Sequence, residues 1–239
     1  MSKLVVVTGA SGGMGLQTCK VFKDNGFEVI GTDRHSVRNS SVDHFFQGEI
    51  TDENMWREVT KKIESSHGHL NSLVNIAGRN YLANISEAEL DEWRNMMEVN
   101  VLGMVAAIKH TAPLLKKAPN AAIVNMSSIS GYIGSIGYAA YCTTKGAIDS
   151  LTKSLALELA PEVRVNAIAP GWIETPFTVE GLEKSDDPVA YRKEVEAMHA
   201  LNRVGTPEEI AKSIFWLADG ATFMTGSVVI VDGGYMIKN

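Results

Sequence analysis

Leu4-Val5-Val6-Val7-Thr8-Gly9-Ala10-Ser11-Gly12-Gly13-Met14-Gly15 runs from a β-branched stretch through a cluster of glycines into a helical pattern that ends near Asn25. A short apolar run closed by turn residues reads as a buried strand, and apolar spacing of 3.6 beyond it reads as helix. Strand, glycine turn and helix form the context in which backbone can approach a pyrophosphate. No Cβ intervenes, and the N–H groups of the helix N-terminus favour an anion. Gly9, Gly13 and Gly15 follow T-G-x-x-x-G-x-G, a looser spacing than G-x-G-x-x-G. With Ser11, Gly12 and Met14 they make a candidate phosphate cradle, and the chain reads as α/β.

Working outward, Phe27–Asp33 reads as a second strand with an acid at its carboxyl end. A carboxylate about 20 residues beyond such glycines is placed for a ribose 2′-hydroxyl and repels a 2′-phosphate. Arg34 follows directly and would welcome that phosphate, while position 12, which could carry a basic residue, is glycine. The balance favours NAD, with NADP as the alternative. Residues 35–41 are too short a link for a crossover helix, and residues 42–47 read as the third strand, followed by Gly48-Glu49-Ile50. Helical spacing covers residues 53–65. His67 and His69 after it read as solvated turn residues, and no metal site is expected. The fourth strand, residues 70–76, ends in Asn75-Ile76-Ala77-Gly78, where small residues would let a cofactor lie close. Ser86-x-x-Glu89 has the form of a capping box opening a helix with Trp93, Met96 and Met97. Asn100 falls inside a helical stretch reaching about Lys117; asparagine is unfavourable there, so a specific hydrogen-bonding role is expected.

Residues 121–126 are a fifth, short and mostly apolar strand ending at Ser127-Ser128, and a glycine-rich loop then leads to Tyr141-Cys142-Thr143-Thr144-Lys145. Four residues apart on a helix, Tyr141 and Lys145 share a face. An ammonium beside a phenol favours the phenolate, so the tyrosine is expected to titrate below its usual value of about 10. Ser128 at the strand tip could hold a carbonyl oxygen where that phenol gives or takes a proton. This is equipment for interconverting an alcohol and a ketone. The sixth strand, residues 162–168, breaks at Pro170-Gly171-Trp172-Ile173-Glu174-Thr175-Pro176. Residues from about 174 to 202 are mixed and charged, with Phe177, Met198 and Leu201 apolar, and read as a substrate lid; Trp172 and Phe177 are candidate substrate contacts. Thr206-Pro207-Glu208-Glu209 carries an N-cap, a proline at N1 and first-turn acids, and residues 227–231 form a last strand.

The 239 residues suit one domain, and 45% hydrophobic content is ample for its core. A formal charge of −6, from 22 Lys+Arg against 28 Asp+Glu, with no basic run, argues against nucleic acid or an anionic membrane as partner. No apolar stretch approaches the ~20 residues of a membrane helix. Cys19 and Cys142 form no C-x-x-C, which suits reduced thiols in a cytoplasmic setting.

Taken together, Thr8-Gly9…Gly13-Met14-Gly15, Asn75-Ile76-Ala77-Gly78, Asn100-Val101-x-Gly103, Ser128, Tyr141-x-x-x-Lys145, Pro170-Gly171…Thr175 and Val231-Asp232-Gly233-Gly234 resemble the short-chain dehydrogenase/reductase family. The resemblance covers essentially the whole chain, residues 1–239. It implies a single Rossmann-type domain with a doubly wound, seven-stranded parallel sheet and helices on both faces. By matching position it makes Tyr141 the general acid/base and Ser128 the substrate-oxygen donor. Lys145 would hold the nicotinamide ribose, Asn100 would link a water-borne proton relay to the lysine, and Ile173 and Thr175 would contact the nicotinamide end. The cofactor-side set becomes Gly9, Ser11, Gly12, Gly13, Met14, Gly15, Asp33, Arg34, Glu49, Ile50, Asn75, Ala77 and Gly78. Two positions depart from the family pattern: Glu49 stands for its usual Asp, and Ile76 for the second Asn of N-N-A-G. The resemblance implies an NAD(H)-dependent oxidoreductase acting on a secondary alcohol or ketone, assembled as a homotetramer. The alternatives are an NADP(H)-linked reductase of the 3-oxoacyl-carrier-protein type, a sugar epimerase and a non-catalytic dinucleotide sensor. The epimerase is disfavoured because no added substrate domain is present.

Overall fold

A computed structural model describes residues 2–36, 39–176, 178–179 and 187–238. Seven strands form one sheet: β1 (Lys3–Thr8), β2 (Phe27–Asp33), β3 (His44–Gln47), β4 (Ser72–Asn75), β5 (Ala121–Met126), β6 (Val163–Pro170) and β7 (Val228–Val231). Their order is β3-β2-β1-β4-β5-β6-β7, and every pairing is parallel. Parallel strands need long crossovers that place helices on the faces, so interior strands are buried on both sides and read as continuous apolar runs. β1 shows why. Leu4 and Val6 point into one layer with Trp56, Ile63, Leu115 and Ile148, while Val5 and Val7 point into the other with Phe22, Ile210 and Ile214.

The first layer is covered by α2 (Glu53–Ser66), α4 (Gly103–Leu115) and α5 (Ala139–Glu158). The second is covered by α1 (Gly13–Asp24) and by a helix at Pro207–Phe215, numbered α7 below. An edge-to-face trio of Phe22, Phe27 and Phe215, with centroids 5.0, 5.2 and 6.0 Å apart, locks α1 and α7 onto β2. α7 opens as expected: Thr206 Oγ1 accepts from Glu209 N, the Glu209 carboxylate accepts from Thr206 N, and Pro207 sits at the first position. The chain leaves β1 for β2 on one side and later places β4 on the other. The strand ends part at this switch point, where open α/β sheets bind ligands.

Three local expectations are corrected. Ser86 does not cap a helix: residues Ile85–Glu87 form a single 3₁₀ turn, and α3 (Leu90–Met97) begins beyond Glu89 without a side-chain cap. Asn100 does not sit in a regular α-helix either. Residues Glu98–Leu102 make a π turn between α3 and α4, in which Gly103 N reaches back five residues to Glu98 O. His67 is not a freely solvated turn residue; its side chain is 7% exposed, covered by Ser2 and Glu28. Within the stretch expected to be a lid, residues Pro188–Ala197 form α6, capped by Asp187, while Phe177 and residues 180–186 lie outside the described residues. Among the described residues no helix is long and apolar enough to cross a membrane.

Candidate active site

The carboxyl ends of β1, β2, β4 and β5 surround a cleft of about 770 Å³. One wall is the glycine turn. Gly9 has φ +69°, and a Cβ there would lie 2.9 Å from Ala77 N; a Cβ on Gly15 would lie 1.9 Å from Gly9 O. The turn and the start of α1 are therefore in backbone contact, which only glycine allows. Gly12 is different: a Cβ there would meet Gly9 O at an ordinary 3.5 Å, so no close approach requires glycine at that position. Thr8 Oγ1 accepts from Ile76 N and Ala77 N at 3.0 and 3.1 Å, joining the end of β4 to the end of β1. Asp33 is fixed at the rim, with Oδ2 accepting from Ser11 N and Oδ1 from His35 N, each at 3.0 Å. Arg34 also lines the cleft, its Nε donating to His35 Nε2 at 3.1 Å.

At the other end of the cleft, α5 presents Tyr141 and Lys145. The Lys145 ammonium lies 5.3 Å from the Tyr141 ring centre, and Nζ donates to Met126 O, the last carbonyl of β5, at 2.8 Å. Ser128, extended just beyond β5, faces the Tyr141 phenol and accepts from Ser130 N at 3.1 Å. Asn100 is fully engaged. Its Oδ1 accepts from Arg79 N at 2.7 Å, and Nδ2 donates to Arg79 O at 2.9 Å and Thr144 Oγ1 at 3.1 Å. The side chain thus clamps the backbone after Gly78 to the helix carrying Tyr141 and Lys145, which is a reason for asparagine in a helix that propensity alone disfavours.

Electrostatics correct one expectation. Burial pushes the Tyr141 phenol up to about 12, opposed by the Ser128 hydrogen bond. Burial brings the Lys145 ammonium down to about 8, opposed by Asp149. Desolvation, which penalises each charged form, is the largest cause of both shifts.

A family model described as Enoyl-(Acyl carrier protein) reductase matches residues 9–236. The L-fucose dehydrogenase of Mus musculus is 36% identical over 97% of this chain and 88% of its own length. The ligand-free structure of Thermoplasma acidophilum aldohexose dehydrogenase superposes with a TM-score of 0.93 at 32% identity, over 99% of this chain and 94% of that one. This chain belongs to the short-chain dehydrogenase/reductase family. A further relative, the NADP-dependent (R)-specific alcohol dehydrogenase of Lentilactobacillus kefiri, is 33% identical over 98% of this chain and 96% of its own length.

As a short-chain dehydrogenase/reductase, the chain brings most of its expected residues to one cleft. Gly9, Ser11, Gly12, Gly13, Met14, Gly15, Asp33, Arg34, Glu49, Ile50, Ala77, Gly78, Tyr141, Lys145 and Thr175 all line it. Asn75 does not; it is buried in β4, where Nδ2 donates to Asn125 Oδ1 at 2.9 Å. Ile173 turns into the core beside Gly205 rather than toward the cleft. Trp172 borders a separate small cavity beneath α6 and meets Tyr191 edge-on at 6.4 Å. Sequence reasoning missed Arg79, Asn95 and Val99 in the wall. Arg79 directly follows the Asn75–Gly78 motif, and Asn95 and Val99 are one turn apart on the helix before Asn100, so both signals were present. Arg79 pairs with Glu92 of α3.

Proposed function

We propose that this short-chain dehydrogenase/reductase interconverts a secondary alcohol and a ketone with a nicotinamide dinucleotide, and that NAD is preferred to NADP. The observation carrying the reading is Tyr141 with Ser128 facing its phenol and Lys145 beside its ring, at the end of a cleft whose other end is a glycine cradle. The residues fit a dinucleotide. The Gly9–Gly15 contact leaves no side chain between the cradle and a pyrophosphate, and Gly12 lines the cleft. Asp33, held by two backbone donors, would take the ribose hydroxyls and repel a 2′-phosphate.

When bound, the nicotinamide supplies the hydride acceptor or donor. Ser128 Oγ and Tyr141 Oη together hold the substrate oxygen. In oxidation Tyr141 takes the hydroxyl proton while the C–H leaves as hydride; in reduction it returns that proton. Losing one proton from the Tyr141–Lys145 pair gives either phenol with amine or phenolate with ammonium. These tautomers have equal net charge, so the pair titrates as one unit, and the phenolate form is the base. Lys145, anchored on Met126 O, would hold the nicotinamide ribose.

Arg34 at the cleft rim supports a second reading, an NADP(H)-linked reductase of the 3-oxoacyl type, and the Lentilactobacillus kefiri relative is named NADP-dependent. Absorbance assays with both dinucleotides and a panel of cyclic alcohols, sugars and 3-oxo thioesters separate the two. NAD is expected to give the higher kcat/KM, and Asp33→Ser to narrow the ratio. A wild-type preference for NADP of about tenfold, ~1.4 kcal/mol in the wrong direction, would overturn the cofactor assignment. For the assembly we propose a homotetramer, a reading supported by the exposed apolar residues Leu102, Val105, Leu157, Phe223 and Ile237.

A further inference from the structure

Behind the Tyr141–Lys145 pair the same helix face carries an acid that the reaction does not use. Asp149 is one turn beyond Lys145 on α5 and only 7% exposed. An acid that deeply enclosed loses hydration, so its retention calls for a physical reason. Its surroundings are specific. A Cβ on Gly131 would meet Asp149 Oδ2 at 3.0 Å and the helix backbone at Lys145 and Gly146 at 3.3 and 3.4 Å, so the Ser128–Tyr132 loop rests directly on α5. The Tyr132 phenol and the Ser127 hydroxyl both face the Asp149 carboxylate from that loop. Ser127 is itself enclosed, and neither its Oγ nor Asp149 Oδ1 completes a hydrogen bond of good geometry among the described residues. From its own helix the carboxylate is faced by Lys145 and Lys153. The loop it touches is the loop that aims Ser128 at Tyr141.

We propose that Asp149 is a positioning residue of the active site: it holds the Ser128 loop against α5 and supplies the buried negative charge behind Lys145. The inference rests on the dehydrogenase reading given above. Two effects follow from one carboxylate. Lying against Gly131 and facing Tyr132 and Ser127, the carboxylate holds the loop from below, and Ser128 therefore meets the phenol without searching. Facing Lys145, the carboxylate favours the ammonium against the burial that disfavours it, which agrees with the direction of its effect on that group. Removing the charge while keeping the shape should let Lys145 lose its proton at lower pH.

The test is Asp149→Asn, with Tyr132→Phe as a second variant that keeps the carboxylate charged but removes a phenol dipole that partly offsets its field. NADH affinity is measured by fluorescence across the neutral and alkaline range in wild type, both variants and Lys145→Ala, with thermal melting as a check on folding. Wild type should show a fall in affinity as Lys145 loses its proton, absent in Lys145→Ala. Asp149→Asn should move that fall to lower pH by about half a unit, and should lower kcat/KM for the alcohol by about tenfold. Tyr132→Phe should move it the other way, to higher pH, by less. If Asp149→Asn does not fold, the Tyr132→Phe shift decides. A pH break that stays in place in the folded variants overturns the role of Asp149 while leaving the dehydrogenase reading intact. A break that persists in Lys145→Ala, or none in wild type, overturns the ribose-holding role of Lys145 and this inference with it.

Discussion

Replacing Gly15 by alanine tests the cradle at its tightest point. The added Cβ would lie 1.9 Å from Gly9 O, 2.8 Å from Gly9 C and 3.0 Å from Ala10 Cα. Cβ atoms do not come closer than 3.0 Å to other heavy atoms, so α1 and the turn must separate by about 1.1 Å. The obstacle is backbone and cannot rotate away, so the strain lies at or above the upper end of the usual ~1–3 kcal/mol for overpacking. Alanine returns about 1 kcal/mol as the better helix former. A net loss of about 2 kcal/mol corresponds to a melting temperature lower by about 4–8 °C in a chain of this size. The helix N-terminus that would face the pyrophosphate moves with α1, so NADH affinity should fall at least about tenfold, ~1.4 kcal/mol. Gly12→Ala is the internal control for folding: φ is −79° and the new atom finds its nearest neighbour at an ordinary 3.5 Å. Thermal melting and fluorescence titration of both variants settle it. Gly15→Ala melting within about 1 °C of wild type, or no lower than Gly12→Ala, would refute the close-contact argument.

Tyr141→Phe should bind dinucleotide normally yet lose turnover by about 10²–10⁴-fold; retention of a tenth of wild-type kcat would remove Tyr141 from the proton transfer. The oxidation rate should rise with pH through an apparent value near 8, where the Tyr141–Lys145 pair loses its first proton. A profile that climbs only above about 10 would mean that the tyrosine titrates alone. Thr206→Ala removes the acceptor for Glu209 N and should destabilise by ~1 kcal/mol, a melting shift of about 2–4 °C. Glu209 is held down to about 2 by Arg203 and Thr206, so its small, salt-screened contribution is complete above 4.5 and fades as pH falls through about 2. Light scattering should find a tetramer at micromolar concentration; a monomer would remove the assembly proposal.

Features set by neighbours along the chain are legible in the amino-acid sequence alone. The seven strands, the glycine cradle, Asp33 at a strand end, the Tyr141–Lys145 face and the Thr206 cap all depend on residues a few positions apart, where periodicity and turn chemistry decide the backbone. The same locality explains the failures. Ser86-x-x-Glu89 has the right letters for a cap, but the segment winds as a 3₁₀ turn and α3 starts later. The role of Asn100 depends on Arg79, 21 residues earlier, and on Thr144, 44 residues later, so spacing marks it as unusual without saying what it holds. Asn75 and Ile173 belong to motifs that touch the cleft, yet the packing of β4, and of the segment after β6 beside Gly205, turns their side chains away from it. For the Tyr141 phenol, four-residue spacing to Lys145 predicts a shift of the wrong sign. Spacing gives the distance between two charges, while the amount of water removed from each depends on β5, α5 and the Ser128 loop closing over them. That enclosure exists only once the sheet has assembled.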